Sequence, residues 1–235
     1  MEAPHAEAPR PEPPRARSVW VGLLGAAFAT TLDAALLALA LGGVAALLAH
    51  PRALALLTVW FAGALILGSL RPVRGRAGTV RNTDPWLLLA LFVLPMIAAP
   101  LSAWGERLGV GMLPGGEVRG WLGVLIAGLG LALRMRAMVQ LGPRFDPTVA
   151  ILPGHALETR GLYARIRHPG YAGAWIGALG GALTFGSAPG LAAVALMAAA
   201  LATRVHREEK ALAAHFGEAW QVYREGTGAF WPRPR

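Results

Sequence analysis

Two short polar clusters contain the residue types that could do chemistry. The first is Arg167-His168-Pro169-Gly170-Tyr171, and the second holds Arg204 and Glu208-Glu209. Between them lies an almost uninterrupted apolar run, broken at Gly186-Ser187-Ala188-Pro189-Gly190 and long enough for two helices and a turn. Such a hairpin returns the chain to the side of the bilayer from which it came. We therefore expect the two clusters to meet at one membrane face and to form one composite site.

The first cluster has the features of an anion-binding helix start. Pro169 suits the first position of a helix, where its missing N–H group costs nothing. A helix start carries partial positive charge and free N–H groups, which favour a carboxylate or a phosphate. Arg167 and His168 stand beside it as further donors. An interfacial Arg–His pair that contacts lipid head groups is the alternative interpretation.

The second cluster joins a cation to an anion on one helix face. Arg204 and Glu208 are four residues apart, so they are neighbours on a helix. An exposed pair of this kind contributes only about 0.3–0.5 kcal/mol. At the end of an apolar helix, however, charges tend to face the bundle interior or the mouth of a cavity. An ordinary juxtamembrane ion pair is the alternative here.

Other polar residues in the apolar runs are weaker candidates. Arg134 and Arg136 end an apolar run and are expected to extend to the membrane interface. Asp33 lies in the middle of a run, where an acid is either functional or hydrogen-bonded within the bundle. The chain has no Cys, and no His has a partner at metal-ligand spacing, so no metal site is predicted. Gly128-Leu129-Gly130-Leu131 lacks the third glycine and the preceding strand of a dinucleotide-binding fold.

The composition predicts an integral membrane protein. Of 235 residues, 55% are hydrophobic and only 15% are charged, whereas a soluble domain carries roughly a quarter. The formal net charge is +9, and the basic residues are all Arg except Lys210. Most of the Arg residues fall in loops beside apolar spans, where the positive-inside rule explains them. Nucleic acid is therefore not an expected partner, and the bilayer is.

The expected fold class is all-α, a polytopic integral membrane bundle with about six spans. The predicted spans are 19–48, 53–70, 85–104, 120–141, 171–186 and 191–206. The last two form a C-terminal helical hairpin, and 207–227 is predicted to be an interfacial helix. Residues 1–18 read as a disordered cytosolic tail. With both termini in the cytosol, the Arg-rich segments 71–84 and 142–170 also lie inside.

One stripe in the hairpin predicts packing rather than chemistry. Gly173, Gly177 and Gly181 recur at every fourth residue of its first arm. Small residues on one stripe allow two helix backbones to approach closely in lipid. We therefore expect this stripe to contact another helix.

From Arg134 onward the chain resembles the isoprenylcysteine carboxyl methyltransferase family, which is grouped with the membrane phospholipid methyltransferases. The order and spacing of several short motifs carry the resemblance over roughly the last hundred residues. The motifs are Gly154-His155-Ala156-Leu157, Gly161-Leu162-Tyr163, Arg167-His168-Pro169-Gly170-Tyr171-Ala172-Gly173, Arg204, Glu208-Glu209, Leu212, His215-Phe216-Gly217 and Tyr223.

The resemblance implies S-adenosylmethionine as the cofactor, bound at the cytosolic face without a dinucleotide-binding domain. It places Arg204 and Glu208 in the catalytic site, with Arg204 directed toward the acceptor. It assigns residues 142–235 to cofactor binding and the four-span bundle 19–141 to a lipophilic acceptor. The implied location is the inner or plasma membrane of a bacterium. The implied cofactor-binding residues are His155, Ala156, Leu157, Glu158, Tyr163, Arg167, His168, Pro169, Gly170, Tyr171 and Glu208.

The chemistry of the acceptor is constrained only weakly. A carboxylate acceptor needs no general base, only a cation such as Arg204 to orient it, whereas an amine or thiol would have to lose a proton. An acid or an already ionised acceptor is therefore favoured over an amine, and the resemblance implies an isoprenylcysteine-type carboxylate or a lipid-like substrate. Two alternatives to a methyltransferase are a membrane NADPH-dependent reductase of related fold and a non-catalytic membrane scaffold.

Overall fold

The computed structural model describes residues 16–70, 84–142 and 157–233, and in these ranges the ordered elements are helices. Eight α-helices and one 3₁₀ turn follow each other along these ranges. The helices are α1 (Ala16–Leu41), α2 (Val44–Leu48), α3 (Pro51–Leu70), α4 (Pro85–Leu108), α5 (Gly116–Leu141), α6 (Pro169–Phe185), α7 (Ala188–Phe216) and α8 (Glu218–Gly226), with the 3₁₀ turn at Gly161–Ala164.

The predicted all-α polytopic membrane fold is confirmed. Four helices are long and apolar enough to cross a bilayer, namely α1 (over Gly22–Leu41), α4, α5 and α7. Helix α3 is apolar but shorter over Pro51–Leu67, and α6 has 17 residues, or about 25 Å at 1.5 Å per residue. A hydrocarbon core is about 30 Å thick. The short α6 therefore depends on its neighbours to bury its ends.

Several boundaries shift by a few residues, and the two largest differences from the prediction have a physical reason. The first predicted span, 19–48, is broken at Gly42 and Gly43, whose φ angles of 101° and 132° do not continue a helix. The second arm of the hairpin does not end near residue 206, because α7 continues to Phe216. The separate helix expected over 207–227 is therefore only α8, which follows a break at Gly217.

The tightest helix pair is α5 against α6, and glycine makes it possible. A Cβ added at Gly130 would lie 2.3 Å from the Gly177 nitrogen, and one added at Gly173 would lie 2.5 Å from the Arg134 nitrogen. The predicted packing role of Gly173 and Gly177 is thus confirmed. Gly181 instead faces Trp60 and Ala99. Close backbone contact along α5 fixes where α6 begins, and so fixes the first polar cluster.

The turn of the hairpin is held by a polar cluster at one end of the bundle. Arg52 donates to the Thr184 carbonyl at 3.1 Å, and Arg119 donates to the Phe185 carbonyl at 3.0 Å. Glu106 accepts from Arg52 at 2.9 Å and lies 3.3 Å from His50. We call Arg52, Arg119, Glu106 and His50 the turn cluster. Its cations satisfy the last carbonyls of α6, which have no partner inside the helix.

Buried apolar residues fill the space between the helices in two groups. One lies where α1, α2, α3 and α4 meet α5 and the end of α6, and includes Leu37, Leu56 and Phe185. The other lies between α4, α6 and α7 and includes Val194 and Met197. Helix α7 therefore packs on both α4 and α6, which carries its polar last turns to the same end of the bundle as the start of α6.

Candidate functional site

The hairpin brings the two polar clusters together. His168 is the residue immediately before α6, with Pro169 at the first helical position, and Glu208 and Glu209 lie in the last three turns of α7. The His168 Nε2 atom lies 3.1 Å from Glu209 Oε1, and its Nδ1 atom lies 3.9 Å from Glu208 Oε1. The His168 side chain is buried. Residues 40 positions apart in the chain thus form one contiguous site.

A chain of three side chains runs from α6 to α7. The Tyr171 hydroxyl donates to Glu208 Oε2 at 2.7 Å, and Arg204 Nε donates to the same hydroxyl at 3.2 Å. Arg204 and Glu208 are 4.0 Å apart, the contact expected from their spacing. The Arg204 side chain is 4% exposed, whereas that of Glu208 is 25% exposed. A buried cation and a more accessible carboxylate therefore share one tyrosine hydroxyl. We call Tyr171, Arg204 and Glu208 the exchange triad.

Arg167 is used differently from the exchange triad. Its Nε atom donates to Glu209 Oε1 at 2.8 Å, and its Nη1 atom donates to the carbonyl oxygens of Thr227 and Arg224. The Arg167 side chain is 7% exposed. This guanidinium ties the end of α8 to the start of α6, and so shapes the site from behind. We call Arg167 and Glu209 the anchor pair.

The chain after α8 also packs on the start of α6. The N–H of Arg167 donates to the Gly228 carbonyl at 2.8 Å, and the N–H of His168 donates to the Ala229 carbonyl at 3.0 Å. Phe230 then places its ring 6.3 Å from that of His168. We call residues 227–231 the C-terminal strap. It gives the site a wall that the sequence prediction did not include.

The start of α6 offers fewer N–H groups to an anion than the sequence suggested. The N–H groups of Tyr171 and Ala172 both donate to the His168 carbonyl, at 3.1 and 3.0 Å. The His168 N–H is used by the strap. Gly170 accepts through its carbonyl from Arg134 Nη1 at 3.1 Å. Any anion bound here must therefore rely on side-chain donors more than on the helix start.

Two tyrosines border the site on the side of the 3₁₀ turn. The Tyr223 hydroxyl donates to the Tyr163 carbonyl at 2.7 Å, and the Tyr163 hydroxyl donates to the Ala137 carbonyl at 3.4 Å. Burial raises the pKa of Tyr223 to about 12, and the carboxylates of Glu158 and Glu209 act in the same direction. Burial also raises the pKa of Tyr163, with further contributions from Tyr223 and Glu208. Both phenols are therefore neutral donors at ordinary pH.

The remaining predicted cofactor residues are placed as follows. Glu158 has a side chain that is 7% exposed, and it pairs with Arg160 at 3.1 Å. Leu157 is half-buried. His155 and Ala156 lie outside the described residues. The electrostatic contact of Glu158 with both Tyr163 and Tyr223 puts it on the same side of the site as the tyrosines.

Sequence reasoning missed several residues of this neighbourhood. Arg134 was expected to extend to the membrane interface, but it reaches the Gly170 carbonyl instead. The sequence identifies Glu209 only as part of a motif, whereas in the structure its carboxylate contacts both Arg167 and His168. The strap had one available signal, the aromatic pair Phe230-Trp231 in an otherwise polar tail. Arg136 is exposed and Asp33 is half-buried.

The acidic and imidazole side chains of the site do not form a metal centre. Across residues 16–70, 84–142 and 157–233, no three His, Cys, Asp or Glu side chains are grouped so that they could hold a metal ion. Glu208 is instead paired with a phenol and a guanidinium. The arrangement suits recognition of an organic ligand that carries both charges.

Comparison with known proteins is consistent with this geometry. Residues 121–214 match the model of the isoprenylcysteine carboxyl methyltransferase (ICMT) family. A protein named protein-S-isoprenylcysteine O-methyltransferase, from Schizosaccharomyces pombe, is 37% identical over 100 residues, which is 41% of this chain. The alignment spans 42% of that relative's own length. The resemblance predicted from the motifs is therefore confirmed over the part of the chain that contains α5, α6 and most of α7.

Proposed function

We propose that this chain is an integral membrane methyltransferase that transfers a methyl group from S-adenosylmethionine to a lipophilic acceptor at the cytosolic face. The observation that supports this most is the exchange triad, which joins a buried arginine to an accessible carboxylate beside His168. The match of residues 121–214 to the ICMT family supports the same reaction class.

The residues of the site fit this cofactor chemically. S-adenosylmethionine carries a sulfonium and an ammonium, which a carboxylate and the faces of aromatic rings attract. Glu208 supplies the carboxylate, and the aromatic rings are those of Tyr171, which is hydrogen-bonded to it, and Tyr163, whose pKa it raises. Glu158 adds a second buried carboxylate on the tyrosine side. We assign His168, Pro169 and Gly170 to the same binding wall, and Leu157 to its apolar part. His155 and Ala156 stay cofactor-binding predictions.

Arg167 belongs to the assigned set as a positioning residue. Its guanidinium contacts Glu209 and the backbone of residues 224 and 227. These bonds hold His168 and the strap in place.

Methyl transfer depends mainly on the alignment of the acceptor oxygen with the methyl group of the cofactor. When bound, S-adenosylmethionine would supply a methyl group on a positive sulfur. An acceptor oxygen in line with the carbon–sulfur bond would bond to that methyl carbon as the carbon–sulfur bond breaks, and S-adenosylhomocysteine would leave. Arg204 orients an acceptor carboxylate by charge-assisted hydrogen bonds, which are stronger than neutral ones. A carboxylate is already ionised at neutral pH, so no side chain has to remove a proton. Holding both partners in position can lower a barrier by about 7–11 kcal/mol.

The acceptor follows from this chemistry and from the membrane setting. An acid attached to a hydrocarbon chain can keep the chain among the helices while its carboxylate meets Arg204. We infer that the acceptor is an isoprenylcysteine-type carboxylate or a similar lipid-like acid. Helices α1, α3, α4 and α5 form the part of the bundle that we assign to acceptor entry. The positive-inside rule places both termini and residues 142–170 in the cytosol.

Calorimetry with S-adenosylhomocysteine, the demethylated product, tests the proposal on purified protein in detergent. Glu208→Gln should weaken binding at least tenfold, about 1.4 kcal/mol, because it removes the charge that attracts the ligand ammonium. Glu218→Gln is the matched control, since Glu218 is an exposed residue at the start of α8. Equal affinity in Glu208→Gln and the control would contradict the site assignment.

Transfer of a labelled methyl group to N-acetyl-S-farnesylcysteine then tests the reaction. Arg204→Lys should keep the product affinity within about threefold but reduce transfer by tenfold or more, because lysine cannot reproduce the planar donor arrangement. Hydride transfer from NADPH with no response to S-adenosylmethionine would identify a reductase instead. If a thermal-shift screen of nucleotide-derived compounds found no ligand, a non-catalytic scaffold would be identified.

A further inference from the structure

An apolar cleft between α6 and α7 lies next to the site. It has a volume of about 190 Å³. The Trp175 indole N–H donates to the Val194 carbonyl at 3.2 Å, so the polar atom of that side chain is satisfied in the wall. Hydrocarbon therefore suits the cleft better than a polar group. The lining residues are Ala172, Trp175, Ala198, Leu201, Phe230 and Trp231.

Three residues of the cleft lining lie close to the reacting groups, in the chain or in space. Ala172 follows Tyr171 of the exchange triad directly. Leu201 lies three residues before Arg204 on α7, so the two share a helix face. Phe230 contacts the cleft and also lies against the His168 ring. The cleft therefore borders the face of α7 that carries Arg204 and the ring of His168.

We propose that this cleft, rather than the four-span bundle assigned to acceptor entry, binds the hydrocarbon chain of the methyl acceptor at the end nearest its carboxylate. This inference rests on the proposed function, because it names where the acceptor of that reaction lies. The positive charge of Arg204 at the inner end selects an acidic head group. The apolar walls select a chain, and the small side chains of Ala172 and Ala198 leave space for it.

The volume sets how much of the chain the cleft holds. An apolar cavity of about 150 Å³ admits a benzene molecule. A cleft of about 190 Å³ therefore accommodates one to two five-carbon isoprenoid units, and the rest of a longer chain extends into the bilayer. We expect affinity to rise steeply between five and ten carbons and to change little beyond that.

The C-terminal strap makes the outer wall a determinant of specificity. Backbone bonds from Arg167 and His168 hold Gly228 and Ala229, and the next two residues are Phe230 and Trp231. Trp231 is 61% exposed, as expected for an aromatic residue at a membrane interface. Phe230 and Trp231 are thus positioning residues that shape the chain site from outside the membrane helices.

Fluorescence quenching measures occupancy of the cleft directly. The probe is an N-acetyl-S-alkylcysteine that carries bromine on its chain, which quenches the adjacent Trp175 and Trp231. Saturable quenching that is reduced in Trp175→Phe is expected for the wild-type protein. Quenching that is equally strong with a phospholipid brominated in its acyl chain would mean that ordinary bilayer lipid fills the cleft, and would overturn the proposal.

Filling the cleft provides the matched test. Ala198→Leu should raise the dissociation constant of the probe at least tenfold, because the larger side chain occupies the space for the hydrocarbon. Ala199→Leu is the control, since Ala199 is an exposed neighbour on α7 outside the cleft lining. Probe affinity within twofold of wild type in Ala198→Leu would overturn the proposal.

A second variant covers the case in which Ala198→Leu does not fold. Trp231→Ala removes an exposed wall residue, and should weaken the probe at least threefold while Trp175 reports binding. Unchanged probe affinity there would equally contradict the assigned wall.

The two proposals fail in different ways. Loss of the cleft site leaves the affinity for S-adenosylhomocysteine unchanged, while probe binding no longer responds to Ala198→Leu. Failure of the proposed function shows as no affinity for S-adenosylhomocysteine in the wild-type protein. Probe quenching still measures the chain site in that case, because it needs no methyl transfer.

Discussion

The two ends of the α6–α7 hairpin use the same residue types for different purposes. At the turn, the cations of the turn cluster donate to the last carbonyls of α6 and leave the backbone satisfied. At the open end, the exchange triad pairs side chains with each other. At the turn, the guanidinium groups satisfy backbone carbonyls at the end of a helix. In the exchange triad, the hydrogen bonds join side chains, so a ligand could replace one of them without breaking those backbone contacts.

The open end contains both kinds of arrangement. The anchor pair resembles the turn cluster, because Arg167 donates to backbone carbonyls and to Glu209 at once. In the exchange triad, by contrast, the Tyr171 hydroxyl joins Arg204 to Glu208. Glu208 and Glu209 are adjacent in sequence, yet they belong to different arrangements. The division predicts stability effects for one and ligand effects for the other.

The turn cluster should give the largest loss of stability. Arg52→Ala removes the partner of Glu106 and a donor to the Thr184 carbonyl. Breaking a buried ion pair costs about 3–5 kcal/mol, and His50 still supports Glu106, so we expect about 3 kcal/mol. Thermal unfolding in detergent measures it. The affinity of the folded protein for S-adenosylhomocysteine should stay the same.

Arg107→Ala is the control for that variant. Arg107 donates to the Leu39 carbonyl in an exposed contact of 3.5 Å, so its loss should change stability by less than about 0.5 kcal/mol. If Arg52→Ala were as mild as Arg107→Ala, the turn cluster would not hold the hairpin.

Disruption of the anchor pair should give an intermediate loss of stability, and it gives the clearest test of the difference between the anchor pair and the exchange triad. Glu209→Gln removes the charge that accepts from Arg167 and His168. Hydrogen bonds to charged groups contribute about 1.5–3 kcal/mol, and glutamine keeps part of this, so we expect a loss near 1.5 kcal/mol. Limited proteolysis should cut the C-terminal strap faster than in wild type.

The contrast with Glu208→Gln decides whether the division is real. Glu208→Gln should weaken S-adenosylhomocysteine strongly and change thermal stability little. Glu209→Gln should do the reverse. Equal profiles in the two variants would show that the carboxylates act as one unit, and the separation into anchor and exchange groups would be wrong.

The sequence predicted the parts of this molecule that depend on local pattern. Apolar runs with few charges predicted the helices, and the break at residues 186–190 predicted the hairpin. Since a hairpin through a bilayer must return, the meeting of His168 with Glu208 and Glu209 followed from topology alone. The i, i+4 spacing likewise predicted the contact between Arg204 and Glu208.

The parts that depend on tertiary contact could not be predicted in the same way. The pairing of Arg167 with Glu209 joins residues 42 positions apart. The residues next to them in the sequence do not indicate this pairing. Whether Arg134 turns to the interface or to Gly170 depends on how closely α5 approaches α6, which Gly130 and Gly173 determine. The anion-binding helix start was overestimated because the strap and the helix use its N–H groups.

The smallest predicted effect lies at the tyrosine border of the site and depends on pH. Burial raises the pKa of Tyr223 to about 12, above its value near 10 in an unfolded chain. Below pH 10 the phenol is neutral in both states, so its hydrogen bond to the Tyr163 carbonyl contributes fully. Between pH 10 and pH 12 the unfolded chain releases the proton first, and stability falls as pH rises. Tyr223→Phe should cost about 1 kcal/mol at pH 8 and should flatten the decline in thermal stability above pH 10. If thermal stability declined with pH as steeply in that variant as in the wild-type protein, the fold would not hold Tyr223 neutral.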